Sequence, residues 1–123
     1  MRILVADDEK LLVKGIKFNL ENEGYQVDVG SDGVEAVEKA RNQQYDLIIL
    51  DLMMPRLDGW ETAIQLRKSP ETAHIKVVLI TARAQEEDIL RGRNVGADAY
   101  LTKPFDPGEM IRVVRELAGA APA

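Results

Sequence analysis

Five short segments rich in apolar residues alternate along the chain with longer segments in which apolar residues recur every three or four positions. The short segments lie at residues 3–6, 25–29, 47–50, 77–80 and 97–101. Short apolar segments are typical of strands, and the longer amphipathic segments are typical of helices. Strands that alternate with helices form right-handed βαβ units and a parallel sheet covered on both faces. The pattern therefore predicts an α/β fold.

The distribution of polar residues predicts the order of the strands. Residues 47–50 and 77–80 are apolar throughout, as expected of strands buried on both faces. Residues 25–29 alternate between apolar and polar side chains, which places this strand at an edge. We therefore expect a doubly wound, flavodoxin-like sheet of five parallel strands in the order 2-1-3-4-5. Its ligand site lies at the carboxyl ends of strands 1 and 3.

Helices are predicted between the strands and after the last one. Gly24 suits a left-handed cap at the end of the first helix, and Ser31-Asp32-Gly33 is predicted as a turn and N-cap before the second. A further helix is expected between strand 4 and Gly96, with acids near its start and arginines near its end. The predicted helical ranges are residues 9–23, 34–43, 60–68, a stretch ending before 96, and 107–117.

Length and charge restrict the classes of protein. The 123 residues fit one domain, predicted over residues 1–118, with 119–123 as a flexible tail or the start of a linker. The chain has no cysteine and a net charge of −5, and it has no apolar segment long enough to span a bilayer. We expect a cytoplasmic protein without membrane contact. Its scattered basic residues make direct binding of nucleic acid by this domain unexpected.

Three acids follow two of the predicted strands. Asp7 and Asp8 end strand 1, and Asp51 ends strand 3, its neighbour in the predicted order. Two unit charges ~4 Å apart repel by about 4 kcal/mol at an effective dielectric constant near 20. Such a cluster therefore binds a cation or holds a proton with a raised pKa. Because only oxygen ligands are near, Mg²⁺ is the favoured cation.

A hydroxyl and an ammonium group are expected at the same edge of the sheet. Thr81 ends strand 4, and Lys103 follows strand 5. A hydroxyl, an ammonium and Mg²⁺ together would satisfy three phosphoryl oxygens. Each residue also has a structural alternative, because an Asp after a strand can cap a helix, Thr81 can be an ordinary strand residue, and Lys103 can be a solvated charge. Their shared location favours a phosphoryl site.

These residues resemble the response-regulator receiver domains of bacterial two-component signalling. The resemblance runs from Arg2 to about Leu117, nearly the whole chain. It rests on several motifs in their order along the chain: Asp7-Asp8, Asp51-Leu-Met-Met-Pro55 with Asp58-Gly59, Thr81-Ala82, Gly96-Ala-Asp-Ala-Tyr100 and Lys103-Pro104-Phe105. The resemblance implies a reversible signalling switch and not a turnover enzyme.

The resemblance also implies roles for the residues of the site. Asp51 would be the nucleophile that takes a phosphoryl group from a sensor histidine kinase or a phosphotransfer protein, forming an acyl phosphate. Thr81 and Lys103 would contact the phosphoryl oxygens, and the Lys103–Pro104 peptide bond would be cis. The implied ligands of Mg²⁺ are Asp8, Asp7 largely through water, Asp51 and the backbone carbonyl of Met53.

The same resemblance implies how the signal leaves the site. Thr81 would move toward the phosphate and Tyr100 would turn inward, which changes the face formed by the fourth predicted helix, strand 5 and the last helix. A downstream effector or a fused output domain would bind that face.

The first helix has more apolar residues than one buried stripe needs. This excess predicts a docking surface for the phosphodonor protein at Leu11, Leu12, Gly15 and Phe105.

The sequence departs from one large subgroup of receivers at the output face. Receivers joined to winged-helix DNA-binding domains form symmetric dimers through six charged positions on that face. Asp98 and Glu109 keep two of these charges, and uncharged residues occupy the other four positions: Ile89, Ala99, Val113 and Ala120. A stand-alone receiver, or one joined to a different output module, therefore fits better.

Three other functions fit the sequence less well. A flavin or nucleotide module needs a phosphate-binding loop after strand 1, where the acids would instead repel a phosphate. An aspartate-nucleophile phosphatase carries a second acid two residues after the nucleophile, where this chain has Met53. A degenerate receiver would lack a residue of the site, and none is lost. The sequence favours the phosphoacceptor over all three.

Overall fold

A computed structural model describes residues 1–54, 57–82 and 96–119 of the chain. The strands are β1 (Arg2–Ala6), β2 (Gln26–Gly30), β3 (Leu47–Asp51), β4 (Lys76–Thr81) and β5 (Ala99–Thr102). The helices in the described residues are α1 (Lys10–Asn22), α2 (Gly33–Asn42), α3 (Gly59–Lys68) and α4 (Pro107–Gly119). The helix predicted before Gly96 and most of the predicted tail lie outside the described residues.

The five strands form one parallel sheet in the order β2-β1-β3-β4-β5. The predicted fold and strand order are therefore confirmed. All residues of the central strand β3 are buried, whereas the edge strand β2 has exposed and half-buried positions. This difference is the one that the polar residues of the second strand predicted.

Alternate residues of the strands point into two separate apolar layers. The layer against α1 and α4 includes Ile3, Val5, Leu47 and Ile49 of the strands. The layer against α2 and α3 includes Leu4, Ala6, Ile48 and Leu50. The helices thus cover both faces of the sheet, and the site residues can lie only at its edges or ends.

Short polar side chains and glycines set the ends of the helices. Asp32 and Asp58 precede α2 and α3, and each accepts a hydrogen bond at 2.9 Å from a backbone N–H of the first helical turn. Asp58 belongs to one of the motifs that carry the resemblance, and its capping bond gives it a structural role at the start of α3. Gly24 and Gly96 have φ of 95° and 82°, in the left-handed region that glycine adopts without strain.

Strand β5 begins two residues later than predicted. Asp98 donates its backbone N–H to the Val77 carbonyl at 2.8 Å, and its side chain accepts the Val77 N–H at 2.8 Å. A carboxylate therefore accepts a hydrogen bond that a backbone carbonyl would accept in a regular ladder, and the ladder starts at Ala99. Among the described helices, none has the length and apolar character needed to cross a membrane.

Candidate functional site

The predicted site residues lie at the carboxyl ends of four neighbouring strands. Asp7 and Asp8 follow β1, Asp51 is the last residue of β3, Thr81 is the last residue of β4, and Lys103 follows β5. The register pairs Ala6 with Leu50, Asp51 with Ile80 and Thr81 with Thr102. Because parallel strands end at one edge of the sheet, residues far apart in the sequence meet there.

The three acids form a compact cluster. Carboxylate oxygens of Asp7, Asp8 and Asp51 all lie within 4.8 Å of one another. Asp7 and Asp51 are only 2% and 4% exposed, whereas Asp8 is exposed. The cluster therefore has two buried carboxylates and one that faces solvent.

The ammonium group of Lys103 lies between the acids. Its Nζ is 3.2 Å from Asp7 Oδ2 and 3.4 Å from Asp51 Oδ2, and the Lys103–Pro104 peptide bond is cis. Glu9 Oε1 is also 3.2 Å from this Nζ, a contact that was not predicted from the sequence. Glu9 continues the run of acids after β1, but the sequence pattern does not show which of these acids reaches a lysine at the end of another strand.

The charges of the cluster change the pKa values of its members. Burial raises the pKa of Asp7 from 3.8 to about 6 and the charge of Asp51 adds to the rise, although the Glu9 N–H and Lys103 act against it. Burial alone would lower the pKa of Lys103, but Asp7 and Asp51 outweigh it and raise that pKa above its usual value. Both shifts reflect carboxylates that are held close together away from water.

The residues after Asp51 are anchored to the core and to one another. Leu52 and Met54 are buried in the layer with Trp60, whereas the Met53 side chain between them is 76% exposed. The Met53 N–H donates to Asp51 Oδ1 at 3.3 Å, and the Gly59 N–H donates to the Leu52 carbonyl at 3.2 Å. The backbone of Met53 is thereby held beside the Asp51 carboxylate.

The cluster fits a hard divalent cation. Each member of the cluster offers a carboxylate oxygen, and Mg²⁺ prefers oxygen ligands. Asp7 Oδ2 is buried and, within the described part of the chain, accepts no well-directed hydrogen bond, although Lys103 Nζ lies 3.2 Å away. A buried carboxylate oxygen of this kind suits a cation or a water bound to it.

The two residues of the predicted switch lie on neighbouring strands. Thr81 is 5% exposed at the end of β4. Tyr100 is paired with Leu79 in the ladder of β4 and β5. Its side chain is half-buried against the apolar layer that lies between the sheet and helices α2 and α3. Their roles stay predictions, and the helix that would complete the output face lies outside the described residues.

The predicted docking residues differ in their exposure. Leu11 is 86% exposed, and Gly15 is exposed, with no atom within 4 Å of the position that a Cβ would take. Leu12 and Phe105 are instead partly buried against the layer of α1 and α4. Phe18, which was left out of the predicted set, is 65% exposed. The exposed apolar surface of α1 therefore consists of Leu11 and Phe18, with Gly15 between them in the sequence.

The fold and the site together define a flavodoxin-like domain with an acidic centre at the carboxyl edge of its sheet. The chain matches the response regulator receiver domain family over residues 3–115, and it belongs to that family. Members of this family are two-component signalling domains and not turnover enzymes.

Curated relatives are about twice as long as this chain. The alkaline phosphatase synthesis transcriptional regulatory protein PhoP of Bacillus subtilis is 45% identical over 94% of this chain and 48% of its own length. The DNA-binding dual master transcriptional regulator RpaA of Synechocystis is 44% identical over 94% of this chain and 48% of its own length. The chain thus spans about half the length of these relatives.

Solved structures share the fold over nearly their whole length. The receiver domain of the Francisella response regulator 1452 is 36% identical, with a TM-score of 0.92 over 98% of each chain. The receiver domain of the sensor histidine kinase PA1611 of Pseudomonas aeruginosa is 30% identical, with a TM-score of 0.89 over 97% of this chain and 98% of that one. The latter structure has a magnesium ion coordinated in its active site cleft.

Proposed function

We propose that this domain accepts a phosphoryl group on Asp51 in a Mg²⁺-dependent reaction and thereby switches a two-component signalling pathway. The observation that carries the proposal is the convergence of three carboxylates and one ammonium group. Oxygens of Asp7, Asp8 and Asp51 lie within 4.8 Å of one another, and Lys103 Nζ is 3.4 Å from Asp51 Oδ2. Charge of both signs is thus concentrated where a phosphoryl group would bind.

The chemistry is a transfer between two nucleophiles. A carboxylate oxygen of Asp51 attacks the phosphorus of a phosphohistidine, the P–N bond breaks, and a P–O bond forms to give an acyl phosphate. The imidazole leaves with the electron pair of that bond and takes a proton from solvent. The Lys103 ammonium is positioned to neutralise charge on a phosphoryl oxygen, and its raised pKa keeps it protonated at neutral pH.

Bound Mg²⁺ would neutralise charge on the phosphoryl oxygens and lower the repulsion between the acids. We assign its ligands to Asp8, to Asp51 and to the Met53 carbonyl, with Asp7 acting largely through water. The exposed position of Asp8 supports direct contact with a hydrated ion, because Mg²⁺ keeps several of its waters. The Met53 backbone is already adjacent to Asp51 through its N–H, which supports its place among the ligands.

Thr81 and Tyr100 are the residues that we propose to transmit the change. A phosphoryl group adds a charge of about −1.5 to −2 and new hydrogen-bond acceptors, and the Thr81 hydroxyl is a donor at the end of the neighbouring strand β4. Tyr100 would then turn inward and shift the population between two packings of the output face. A downstream effector protein or a fused output domain would bind this face.

The phosphodonor is proposed to be a sensor histidine kinase or a phosphotransfer protein. It would dock on Leu11, Leu12, Gly15 and Phe105. Leu11 and Gly15 are exposed, which supports the part of this surface that lies on α1. We also propose a cytoplasmic location, because response regulators typically act there.

Acetyl phosphate provides a direct test, since its phosphoryl group can be transferred with acetate as the leaving group. We expect the wild-type chain with Mg²⁺ to gain the mass of one phosphoryl group, and to gain none when the metal is chelated. Asp51→Asn should gain none, and the product should be labile to base, as an acyl phosphate is.

The matched control is Asp46→Asn, an acid next to the amino end of the same strand. Its carboxylate accepts the Arg2 backbone N–H at 2.8 Å, a bond that asparagine can also accept, so this variant should be phosphorylated like the wild type. A wild-type chain that stays unmodified, or an Asp51→Asn chain that is modified to the same extent, would overturn the proposal.

A further inference from the structure

Helix α2 carries none of the acids of the site, but its first residue contacts the loop that follows Asp51. Gly33 faces Leu57 and Thr62, and a Cβ placed on Gly33 would overlap with both the Leu57 carbonyl oxygen and Thr62 Oγ1. Such overlaps do not occur between real atoms. In the sequence, this glycine is predicted only as part of the turn before the second helix.

Neither neighbour of Gly33 can easily move away. The Thr62 side chain is fully buried, and its Oγ1 donates to the Asp58 carbonyl at 2.7 Å. The other contact is backbone, the carbonyl of Leu57. An added methyl group would therefore displace the loop or the helix instead of a flexible side chain.

Helix α2 is itself fixed at this end. The Asp32 side chain accepts the Glu35 N–H at 2.9 Å, and the Ala36 N–H donates to the Asp32 carbonyl at 3.0 Å. Ala36 is fully buried and Ala40 is 3% exposed, so these small residues bring the helix close to the sheet. The loop is therefore the part that has to give way.

A second glycine, Gly59, packs closely against the backbone at the start of the loop. A Cβ on Gly59 would lie 2.7 Å from the Asp51 carbonyl oxygen and 2.9 Å from Leu52 Cα, and the Gly59 N–H already donates to the Leu52 carbonyl. The loop thus contacts Gly59 where it leaves β3 and Gly33 at Leu57. Because Leu57 lies only two residues before Gly59, a displacement at Leu57 also shifts Gly59. The hydrogen bond from Gly59 to Leu52 and the close approach of Gly59 to Asp51 and Leu52 then carry the shift to the adjacent Met53.

We propose that Gly33 is a positioning residue for the metal centre: by contacting Leu57 without a side chain, it sets the place of the Met53 backbone beside Asp51. The inference rests on the proposed function of the acidic cluster. Mg²⁺ requires near-ideal octahedral geometry at short distances, and groups that only orient its ligands typically contribute about 10- to 100-fold to metal affinity. A methyl group on Gly33 therefore weakens metal binding without touching a ligand.

The test measures Mg²⁺ binding by calorimetry in the absence of any phosphodonor. Gly33→Ala should bind Mg²⁺ about tenfold more weakly than the wild type. In the metal-free protein, hydrogen exchange of the Met53 amide should be faster in this variant, because its bond to Asp51 Oδ1 depends on the same loop position. This second measurement is made without bound metal.

Two variants separate positioning from loss of stability. Val37→Ala removes buried volume from α2 one turn beyond the residue that contacts Leu57, and Gly30→Ala adds a methyl group at the end of β2 where the nearest atom is an ordinary 3.7 Å away. Both should bind Mg²⁺ with wild-type affinity. If Gly33→Ala does not fold, Thr62→Val takes its place. This variant removes the hydrogen bond from the Thr62 hydroxyl to the Asp58 carbonyl and should also weaken Mg²⁺ binding.

The outcomes distinguish this inference from the proposed function. Wild-type protein that does not bind Mg²⁺ would overturn the proposed function and the inference together. Wild-type binding with unchanged affinity in Gly33→Ala, or with an equal loss in Val37→Ala, would overturn the role of Gly33 alone. Unchanged affinity in Thr62→Val, where that variant replaces Gly33→Ala, would do the same.

Discussion

At the scale of single residues, Asp7 shows what the acidic cluster costs the folded chain. Its pKa is raised from 3.8 to about 6 by burial and by the charge of Asp51. The folded protein therefore binds more protons than the unfolded chain between about pH 4 and pH 6. Stability falls as the pH rises through this window, and the loss is fully present above pH 6.

Asp7→Asn should therefore stabilise the metal-free protein at pH 7 to 8, by up to about 3 kcal/mol, because one pKa unit corresponds to about 1.4 kcal/mol. Near pH 4 the variant and the wild type should have similar free energies of unfolding. Urea denaturation at several pH values measures the difference. The prediction is contradicted if the difference does not change between pH 4 and pH 8.

The residues of the site were predictable because parallel strands all end at one edge of the sheet. That single rule brought Asp7, Asp51 and Lys103 together from sequence positions far apart. The contact of Glu9 with Lys103 was not predictable, because it depends on the direction of two long side chains. The role of Gly33 was equally hidden, since a glycine that avoids an overlap looks like any turn glycine in the sequence.

At the scale of elements, Arg67 joins the end of α3 to the strands beside it. Its guanidinium donates to the carbonyls of Ala73, Ile75 and Gly96 at 2.9, 2.6 and 2.6 Å. It also contacts Asp98 Oδ2 at 3.1 Å, the same oxygen that accepts the Val77 N–H. One side chain thus links α3, the start of β4 and the chain entering β5.

Arg67→Met should destabilise the domain by about 2 kcal/mol or more, since several carbonyl groups lose their donor at once. Lysine should restore little of this, because it lacks the planar fork of donors. The matched control is Arg112→Met: Arg112 is 63% exposed and pairs only with Glu116 among the described residues, so its loss should cost under about 1 kcal/mol. Equal effects of the two variants in chemical denaturation would refute the linking role of Arg67.

The elements themselves were largely predictable, and the exceptions have a common cause. The apolar patterns of β3 and β4 and the alternation of β2 gave the strand order, because burial on one face or two leaves a direct mark on the sequence. The predicted start of β5 was wrong by two residues, because the Asp98 side chain replaces a backbone acceptor. Side chains that substitute for backbone groups leave no periodic pattern.

At the scale of the whole molecule, the residues of the output face determine whether two copies of the chain can associate. The curated relatives include transcriptional regulators of about twice this length. The resemblance predicts that uncharged residues of this chain stand at four of the six charged positions of the winged-helix receiver dimer. A fifth position, Asp98, already binds Arg67 and Val77 within its own chain.

We therefore expect the chain to remain monomeric after reaction with acetyl phosphate and Mg²⁺. Light scattering coupled to gel filtration, with the phosphorylated and unmodified protein at equal concentrations, measures this directly. A phosphorylation-dependent dimer that persists at micromolar concentration would show that the output face associates without the missing charges. Asp51→Asn is the control for any dimer that does not depend on phosphorylation.

The burial of Trp60 under the residues that follow Asp51 has a practical consequence. It is the only tryptophan of the chain, it is 7% exposed, and it shares an apolar cluster with Leu52 and Met54. The emission of an indole depends on the polarity and packing around it, so a displacement of these neighbours changes the ultraviolet fluorescence of the unlabelled protein. The native chain thus contains its own optical probe, packed beside residues that follow Asp51.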